Sequence, residues 1–479
     1  MRTTLRTRTT LRTHRTLQTP RTRRRTRRAA LTITALTTAA ALGLAGCSDD
    51  GGKDPGSGGA TKGGTSDLSL PSLKGEKIEV AAVWTGPEQE NFTKVLDEFE
   101  KRTGADVTFV PAQDPIVNFL GTKIAGGSPP DVAMLPQVGA LQQAVEKKWA
   151  KPVSREAMLQ LDKNYAKVWR QLGAVGSTQY GVYFKAANKS LIWYNAKVFE
   201  NAGAQEPKTW KDFLATAETI SASGVTPVSV GGADGWTLTD WFENIYLSQA
   251  GPEKYDLLAQ HEIKWTDPSV KQALTTLAEL FGKPHLIAGG TDGALQTEFP
   301  KSVTQTFTGG DQPKGAMVFE GDFVAVNIAQ TKAKIGTDAK VFPFPAAGAD
   351  APVVSGGDVA VALKDSKGAQ ALLTFLASPD AARIWAEQGG FISPNQSLDF
   401  GAYPDDVQRD IAKALIAAGD DTTPGGALRF DMSDQAPASF GGTPGKGEWK
   451  ALQDFLKNPK DVAGTQARLE SDAAKAYKS

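Results

Sequence analysis

Closely spaced carboxylates are the side chains of this sequence best suited to chemistry. Glu320 and Asp322 flank a glycine in VFEGDF, and Asp431 and Asp434 lie in RFDMSD. Glycoside hydrolysis needs two carboxyl groups at a defined separation. Two carboxylates are also costly to bury without partners, which favours an open, ligand-facing edge for Glu320 and Asp322. A hydrolytic pair and a set of ligand contacts are both compatible with this spacing.

Cys47 is the only cysteine in the 479 residues, which excludes an internal disulfide and a thiolate metal cluster. It follows a basic run (21–28) and an uncharged stretch rich in Ala, Leu and Thr (29–46). This is the layout of a secretory signal. The LAGC at its end resembles the bacterial lipobox, whose cysteine is lipidated. We therefore predict a lipoprotein signal peptide at residues 1–46, a lipid anchor at Cys47, and export by the general or the twin-arginine route.

Residues 47–74 are predicted to be a disordered tether, because 48–67 are rich in Gly and Ser and almost free of apolar side chains. The formal net charge of +0 hides an asymmetry. Residues 1–46 contain eleven arginines and no Lys, Asp or Glu, so the rest of the chain carries −11. This charge argues against a nucleic-acid partner, which needs a basic surface.

Strand and helix patterns alternate in the body of the chain. KIEVAAVW (77–84) and ADVTFVPA (105–112) have the composition of strands, and ENFTKVLDEFEKRTG (90–104) between them has apolar residues at helical spacing. Such units predict an α/β fold with a parallel sheet, whose ligands bind beyond the carboxyl ends of the strands. Three residues that directly follow a predicted strand are therefore candidate ligand contacts: Trp84, Asp114 and Gln137.

Signatures of several enzyme classes are absent from the sequence. It contains no phosphate-binding G-x-x-x-x-G-K-[ST] loop, no H-E-x-x-H zinc motif, no G-x-S-x-G nucleophile turn and no EF-hand loop. Only His261 and His285 follow residue 46, which is too few for a histidine-built metal site. We predict no cofactor and no metal.

Four segments together resemble the extracellular solute-binding lipoproteins of bacterial carbohydrate ABC transporters, the group that includes the maltose-binding protein. The strongest is YGVYFKAANKSLIWYNAKVFENAG with PKTWKDF (180–213), similar to the family's strand, YN, helix and P-x-T-W block. GGSPPDVAML (126–135), KGAMVFEGDF (314–323) and GGFISPNQS (389–397) are similar to further family segments in the same order. The resemblance runs from Lys77 to the C-terminus and implies a binding protein without enzymatic activity.

The resemblance implies a two-lobed, periplasmic-binding-protein-like α/β fold, whose interlobe cleft closes around a sugar by motion about hinge strands. The chain would cross between the lobes near Ser190–Leu191, Val354–Gly357 and Gly426–Leu428. The implied lobes are residues 75–190 with 357–427 (lobe 1) and residues 191–356 with 428–479 (lobe 2).

Two more segments resemble the alpha-glucoside-binding branch of this family. DGWTLTDWFENIYLSQAGPEKYDLLAQHEIKWTDPSVKQAL (234–274) is similar to its GW-x-x-TDW-x-E and GP-x-x-Y-D run, and LRFDMSDQAP (428–437) to its RFD-x-SD-x-x-P. This implies a di- or oligosaccharide ligand that contains glucose, an ABC permease as partner, and a monomer anchored at the outer face of the cytoplasmic membrane. A secreted hydrolase or lyase and a binding protein for a non-sugar solute remain the alternatives.

A sugar presents hydroxyl groups that pair with carboxylates, amides and arginine, and flat C–H faces that pack against aromatic rings. Structural roles compete with this interpretation: a helix cap for Asp114, and an internal salt bridge between Arg429 and Asp431. The predicted ligand contacts are Trp84, Gln89, Asp114, Gln137, Lys185, Asn188, Trp236, Asp240, Glu320, Asp322, Phe323, Gly357, Asp358, Arg429 and Asp431.

Overall fold

The computed structural model describes residues 68–113, 115–419 and 428–478. The predicted signal peptide, Cys47, most of the predicted tether and Asp114 lie outside the described residues. None of the described helices combines the length and the apolar character that crossing a membrane requires.

Twelve strands and nineteen α-helices are described. The strands are β1 (Lys77–Ala82), β2 (Asp106–Pro111), β3 (Val132–Leu135), β4 (Ala174–Val175), β5 (Thr178–Gln179), β6 (Gly181–Asn188), β7 (Leu191–Asn195), β8 (Val228–Ser229), β9 (Met317–Glu320), β10 (Ala339–Pro343), β11 (Val353–Ala362) and β12 (Leu428–Phe430). The helices are α1 (Gly86–Thr103), α2 (Ile116–Ala125), α3 (Val138–Glu146), α4 (Arg155–Asn164), α5 (Lys167–Leu172), α6 (Ala196–Ala202), α7 (Trp210–Ala222), α8 (Trp236–Ala259), α9 (Pro268–Phe281), α10 (Gly290–Ala294), α11 (Phe299–Phe307), α12 (Val324–Ile328), α13 (Lys367–Leu376), α14 (Pro379–Ala386), α15 (Asp406–Ala418), α16 (Met432–Gln435), α17 (Ala438–Gly441), α18 (Gly447–Lys457) and α19 (Val462–Ala476).

The first sheet has six strands, and its parallel part is the one that the sequence predicts. β1 pairs in parallel with β2 on one side and with β3 on the other. Helices α1 and α2 connect these strands, because parallel neighbours need a crossover. β11 continues the sheet antiparallel to β3, and it also pairs with β6 and with β12.

Helix α1 shows how the sequence positions the edge of this sheet. Its apolar residues Phe92, Val95, Leu96 and Phe99 recur at helical spacing and are all buried. The helix ends at Gly104, which adopts the left-handed φ of 77° that terminates helices. Because β1 ends at Ala82 and α1 begins at Gly86, the first turn of α1 lies at the carboxyl end of β1.

The second sheet has four strands in the order β10-β7-β9-β8, and β7 lies antiparallel to both of its neighbours. Side chains alternate between the two faces of a strand. Leu191 and Trp193 of β7 accordingly belong to one hydrophobic cluster, whereas Ile192 and Tyr194 belong to the other. Both faces of this sheet are covered, so the expectation of a second α/β lobe is confirmed.

The chain passes between the two sheets directly after β6. β6 ends at Asn188 in the first sheet and β7 begins at Leu191 in the second. The backbone N–H of Lys189 donates to the Val354 carbonyl (2.8 Å), and the Val354 N–H donates to Ser190 Oγ (2.8 Å). The first residues of β11 pair in turn with β12. The described parts of the segments predicted to cross between lobes thus lie side by side.

Candidate functional site

The segments at which the chain crosses between the sheets, around Lys189 and around Gly356, are called the hinge. A cavity of about 220 Å³ lies where the hinge meets the carboxyl end of β1 and the first residue of α8. Concave sites that combine apolar rings with a few polar groups are typical of small-molecule binding. The rings that line this cavity are those of Trp84, Trp236, Phe299, Phe323 and Trp449. Its polar lining residues are Glu88, Gln137, Lys185, Lys189, Asp358 and Asp434, and the remainder are Val83, Pro136, Ala187, Gly356 and Gly357.

Elements of both sheets contribute to this cavity. The first-sheet side supplies the two residues after β1, the first turn of α1, the two residues before α3, and parts of β6 and β11 with Lys189 after β6. The second-sheet side supplies the first residues of α8 and α11, the residue before α12, and residues of α16 and α18. The cavity is therefore the interlobe cleft, and each lobe brings at least one tryptophan to it.

The rings of the cleft are held in place by other rings. Trp84 is 5% exposed and packs edge-on against Phe92 and Trp385, with ring centroids 4.9 Å apart in both pairs. Trp236 lies 5.2 Å from Phe299 and 6.0 Å from Phe323 between centroids. Because these rings are already packed, a ligand that stacks on them immobilises few side chains.

Lys185 joins the two walls of the cleft. Its Nζ forms an ion pair with Glu88 Oε1 (2.5 Å), and it lies 5.7 Å from the Trp84 ring and 5.8 Å from the Phe323 ring. Burial alone would lower the pKa of Lys185, but the carboxylates of Glu88 and Asp358 outweigh it and raise this pKa. The side chain therefore stays an ammonium that donates hydrogen bonds into the cleft.

Lys189 is the second ammonium of the cleft, and the sequence analysis does not include it. Its Nζ lies 3.0 Å from Asp240 Oδ1, contacts Asp431, and lies 3.9 Å from Asp434 Oδ2. It also sits 5.4 Å from the Trp236 ring centroid. One ammonium thus connects the hinge with three carboxylates, one in α8, one directly before α16 and one within α16.

Asn188 and Asp322 join the hinge to the end of β9 instead of contacting the cavity. The Asn188 N–H donates to Asp322 Oδ1 (2.7 Å), and the Asp322 N–H donates to the Asn188 carbonyl (3.2 Å). The Asn188 side-chain oxygen accepts from the Ser190 N–H (3.1 Å). Burial raises the pKa of Asp322 to about 7, although the N–H of Asn188 and the charge of Lys185 oppose this.

The structure brings seven of the predicted ligand contacts to the cavity: Trp84, Gln137, Lys185, Trp236, Phe323, Gly357 and Asp358. Seven others lie elsewhere among the described residues: Gln89, Asn188, Asp240, Glu320, Asp322, Arg429 and Asp431. Asp114 lies outside the described residues.

The expectation that Glu320 and Asp322 lie at an open edge is wrong. Glu320 is 1% and Asp322 3% exposed, because Glu320 pairs with Leu191 and Asp322 is hydrogen-bonded to Asn188. Of the four closely spaced carboxylates, Asp434 alone lines the cavity among the described residues. Neither Glu320 with Asp322 nor Asp431 with Asp434 therefore places two carboxyl groups in this cleft as the acid and base of a hydrolase.

Arg429 and Asp431, predicted as ligand contacts, do not line the cavity, and they do not form the alternative salt bridge with each other either. Arg429 Nε instead lies 2.8 Å from Asp256 Oδ1, on a partly exposed surface. Asp431 is fully buried and pairs with Lys189. Gln89 follows Glu88 in α1, and it is Glu88 that faces the cavity and pairs with Lys185.

Five polar or aromatic residues of the cavity are not among the predicted ligand contacts: Glu88, Lys189, Phe299, Asp434 and Trp449. Lys189 and Asp434 lie inside segments that carry the family resemblance, AANKS and RFDMSD. Phe299 and Trp449 stand near the starts of α11 and α18, and the charged residues beside them, Glu298 and Glu448, do not distinguish them from core rings. Tertiary packing alone brings these two rings to the cleft.

A larger cavity, of about 850 Å³, lies in the second lobe. Asn195, Phe307 and Gln330 are among its lining residues, and no strand of the first sheet contributes to it. Phe307 is its single aromatic ring among the described residues. The smaller interlobe cavity, which is lined by five rings and by both lobes, is the stronger candidate.

Comparison with known proteins agrees with this architecture. The family model of the bacterial extracellular solute-binding proteins matches residues 85–383. The osmoprotective compounds-binding protein GgtB of Synechocystis is 31% identical over 399 residues, covering 81% of this chain and 91% of that protein. The alpha-glucosides-binding periplasmic protein AglE of Rhizobium meliloti is 30% identical over 417 residues, covering 83% and 88%.

Solved structures show the same fold at low sequence identity. The bacterial solute receptor AcbH, described as preferring β-D-galactopyranose, has a TM-score of 0.70 at 18% identity and covers 84% of this chain. RafE in complex with raffinose has a TM-score of 0.67 at 17% identity and the same coverage. In both cases 99% of the solved chain is covered. The protein belongs to the bacterial extracellular solute-binding protein family, whose members bind solutes and are not enzymes.

Proposed function

We propose that the protein is the solute-capturing component of an ABC importer and that it carries a small glucose-containing sugar in the interlobe cavity. The observation that carries this proposal is that Trp84 of one lobe and Trp236 of the other line the same cavity. Two rings on opposite walls suit the two faces of a pyranose. The alpha-glucosides that AglE is named for favour the same ligand class.

Closure about the hinge supplies the mechanism. The sugar hydroxyls donate to the carboxylates of Glu88, Asp358 and Asp434 and accept from the ammonium groups of Lys185 and Lys189. Because these groups belong to both lobes, a bound sugar stabilises the closed state over the open one. The membrane permease of the importer then receives the sugar from the closed form.

The lipid anchor is part of the same proposal. A lipidated Cys47, followed by the Gly- and Ser-rich segment, would hold the binding domain at the outer face of the cytoplasmic membrane. Replacement of the thiol in Cys47→Ser should release the protein from the membrane fraction into the medium, and it should abolish incorporation of labelled palmitate. Retention of the variant in the membrane would contradict the anchor.

A ligand panel tests the sugar. We expect maltose, trehalose or sucrose to raise the melting temperature of the purified protein, and the sugars to remain intact after prolonged incubation. Trp236→Ala should bind at least tenfold more weakly in calorimetry, equivalent to about 1.4 kcal/mol. Trp149→Ala, a partly buried tryptophan that does not line the cavity, is the matched control and should bind normally.

The similarity to GgtB makes a non-sugar osmoprotective compound the second candidate. Betaine therefore belongs in the panel. A rise in melting temperature with betaine and with none of the sugars would mean that the ligand is an osmoprotective compound and not a sugar. No shift with any sugar or osmoprotectant, or the appearance of cleaved sugar, would refute solute capture as the function.

A further inference from the structure

Five carboxyl groups are buried together beneath the hinge, and we call them the buried acidic cluster: Asp240, Glu243, Glu320, Asp431 and Glu448. Each of them is at most 1% exposed. Within the described part of the chain, their ion pairs all go to Lys189, through Asp240 and Asp431. If every carboxyl were ionised, one ammonium would face five negative charges.

Two members of the cluster have full sets of partners. Glu243 accepts from the N–H groups of Met432 (2.7 Å) and Ser433 (2.9 Å) and from the Tyr255 hydroxyl (2.5 Å). Asp431 accepts from Ser433 Oγ and from the Asp434 N–H, both at 2.8 Å. These two carboxylates are held in fixed positions.

The other three members lack such partners. Both carboxylate oxygens of Asp240, of Glu320 and of Glu448 are buried without a hydrogen-bond partner, and Asp240 Oδ1 has only its ion pair with Lys189. Unsatisfied carboxylates are among the costliest groups to bury. The cluster is therefore short of positive charge.

Three of its oxygens converge. Asp240, Glu243 and Asp431 each offer one carboxylate oxygen, and these three oxygens lie within 4.8 Å of one another. Ca²⁺ binds oxygen ligands at about 2.3–2.6 Å, so oxygens on opposite sides of one ion are separated by about twice that distance. The triad has the dimensions of such a site, and it includes Asp240, whose Oδ2 is buried without a hydrogen-bond partner and whose Oδ1 is paired with Lys189.

We propose that Asp240, Glu243 and Asp431 bind one hard divalent cation, of which Ca²⁺ is the best match. The ligand set consists of carboxylates alone, which favours Ca²⁺ or Mg²⁺ over metals that prefer nitrogen or sulfur. Mg²⁺ retains several waters, whereas Ca²⁺ accepts many protein oxygens in flexible geometry. The buried, carboxylate-rich surroundings suit Ca²⁺. This differs from the expectation of no metal, which rested on cysteine, histidine and loop motifs.

The ion would tie α8 to the start of α16. Asp240 and Glu243 lie in α8, and Asp431 stands between β12 and α16. Asp434, three residues further along, lines the interlobe cavity. The cation would therefore fix the segment that carries a polar wall of the cleft. Its binding can be measured without any sugar, so this proposal and the proposed function fail independently.

Equilibrium dialysis of the EDTA-treated, purified protein against Ca²⁺ is the direct test. We expect one ion per chain. At 100-fold excess over the dissociation constant, the melting temperature should rise by about 3 °C over the EDTA sample. Terbium should bind with sensitised emission, because the Tyr255 hydroxyl already touches Glu243. Mg²⁺ at the same ionic strength should give a smaller shift.

Asp240→Asn should weaken Ca²⁺ binding at least tenfold, whereas the exposed Asp292→Asn, which removes the same charge, should bind as the unmodified protein does. If Asp240→Asn does not fold, the number of Ca²⁺ ions bound per chain of the unmodified protein tests the proposal by itself. Absence of stoichiometric Ca²⁺ and of any thermal shift would overturn the proposal and would mean that protons neutralise the cluster. Equal binding by Asp240→Asn would overturn it as well.

Discussion

Asp322 offers the sharpest test of the electrostatics at the hinge. Its carboxyl is 3% exposed, Oδ1 accepts from the Asn188 N–H, and Oδ2 has no hydrogen-bond partner. Burial raises its pKa to about 7 from 3.8, against the opposing effects of the Asn188 N–H and of Lys185. Asn has the same shape, never ionises, and keeps an oxygen for the Asn188 N–H. We therefore expect Asp322→Asn to be the more stable protein at neutral and alkaline pH.

The magnitude follows from the two pKa values. Between pH 4 and 7 the folded state holds a proton that the unfolded state releases, so the free energy of unfolding falls as the pH rises through this window. A shift of about 3 units costs about 4 kcal/mol in total at 1.36 kcal/mol per unit. Between pH 5 and pH 8 the advantage of Asp322→Asn should grow by about 2.5 kcal/mol. For roughly 400 folded residues this equals about 3 °C in melting temperature.

Thermal unfolding of both proteins at pH 5, 6, 7 and 8 is the assay. Subtracting the two curves removes the contribution of other titrating groups, except those whose pKa Asp322 itself raises, Lys185 and Tyr403. The exposed Asp292→Asn controls for the loss of one negative charge. The reasoning would be refuted if the difference in melting temperature between the two proteins did not change with pH. It would also be refuted if Asp322→Asn were the less stable protein at pH 8.

Three further predictions concern the hinge and the lobe contacts. Lys189→Met should lower the free energy of unfolding by about 3–5 kcal/mol, because it leaves buried carboxylates unpaired. Urea denaturation measures this change, and a loss below about 1 kcal/mol would contradict the prediction. In Gly139→Ala the new Cβ would lie 2.0 Å from the Ala436 carbonyl oxygen, which should hinder lobe closure and weaken sugar binding at least tenfold in calorimetry with unchanged circular dichroism. Arg429→Ala should lower the free energy of unfolding by less than about 1 kcal/mol, since the ion pair of Arg429 with Asp256 is partly exposed. The affinity for the sugar should stay within twofold of that of the unmodified protein. A larger loss of affinity would support the predicted role of Arg429 as a ligand contact.

Helix geometry illustrates how far sequence reasoning reaches at the site. Trp236 and Asp240 are one turn apart and share a face of α8, so both are reasonable ligand contacts from the sequence. Four residues along a helix advance the chain by about 6 Å. That step is enough to put Trp236 in the cavity and Asp240 underneath it, against Lys189. The depth of a helix in the protein is not encoded in its periodicity.

The strand ends behave differently. Trp84 and Gln137 line the cavity as predicted, because the edge where strands end is set by the order of strands and helices along the chain. Glu320 and Asp322 also stand at a strand end, but their edge is covered by the hinge and the acidic cluster. The rule therefore holds for the first sheet and fails for the second.

The sequence by itself determines the export signal prediction, the acidic body of the chain, the alternation of strands and helices and the family, because all of these depend on local composition and spacing. Only the tertiary structure decides which carboxylates face the cleft and which are buried against Lys189, and it alone brings Phe299 and Trp449 beside Trp236. The physical reason is that burial and ion pairing depend on neighbours far along the chain. Lys189 and Asp431, for example, are 242 residues apart and touch.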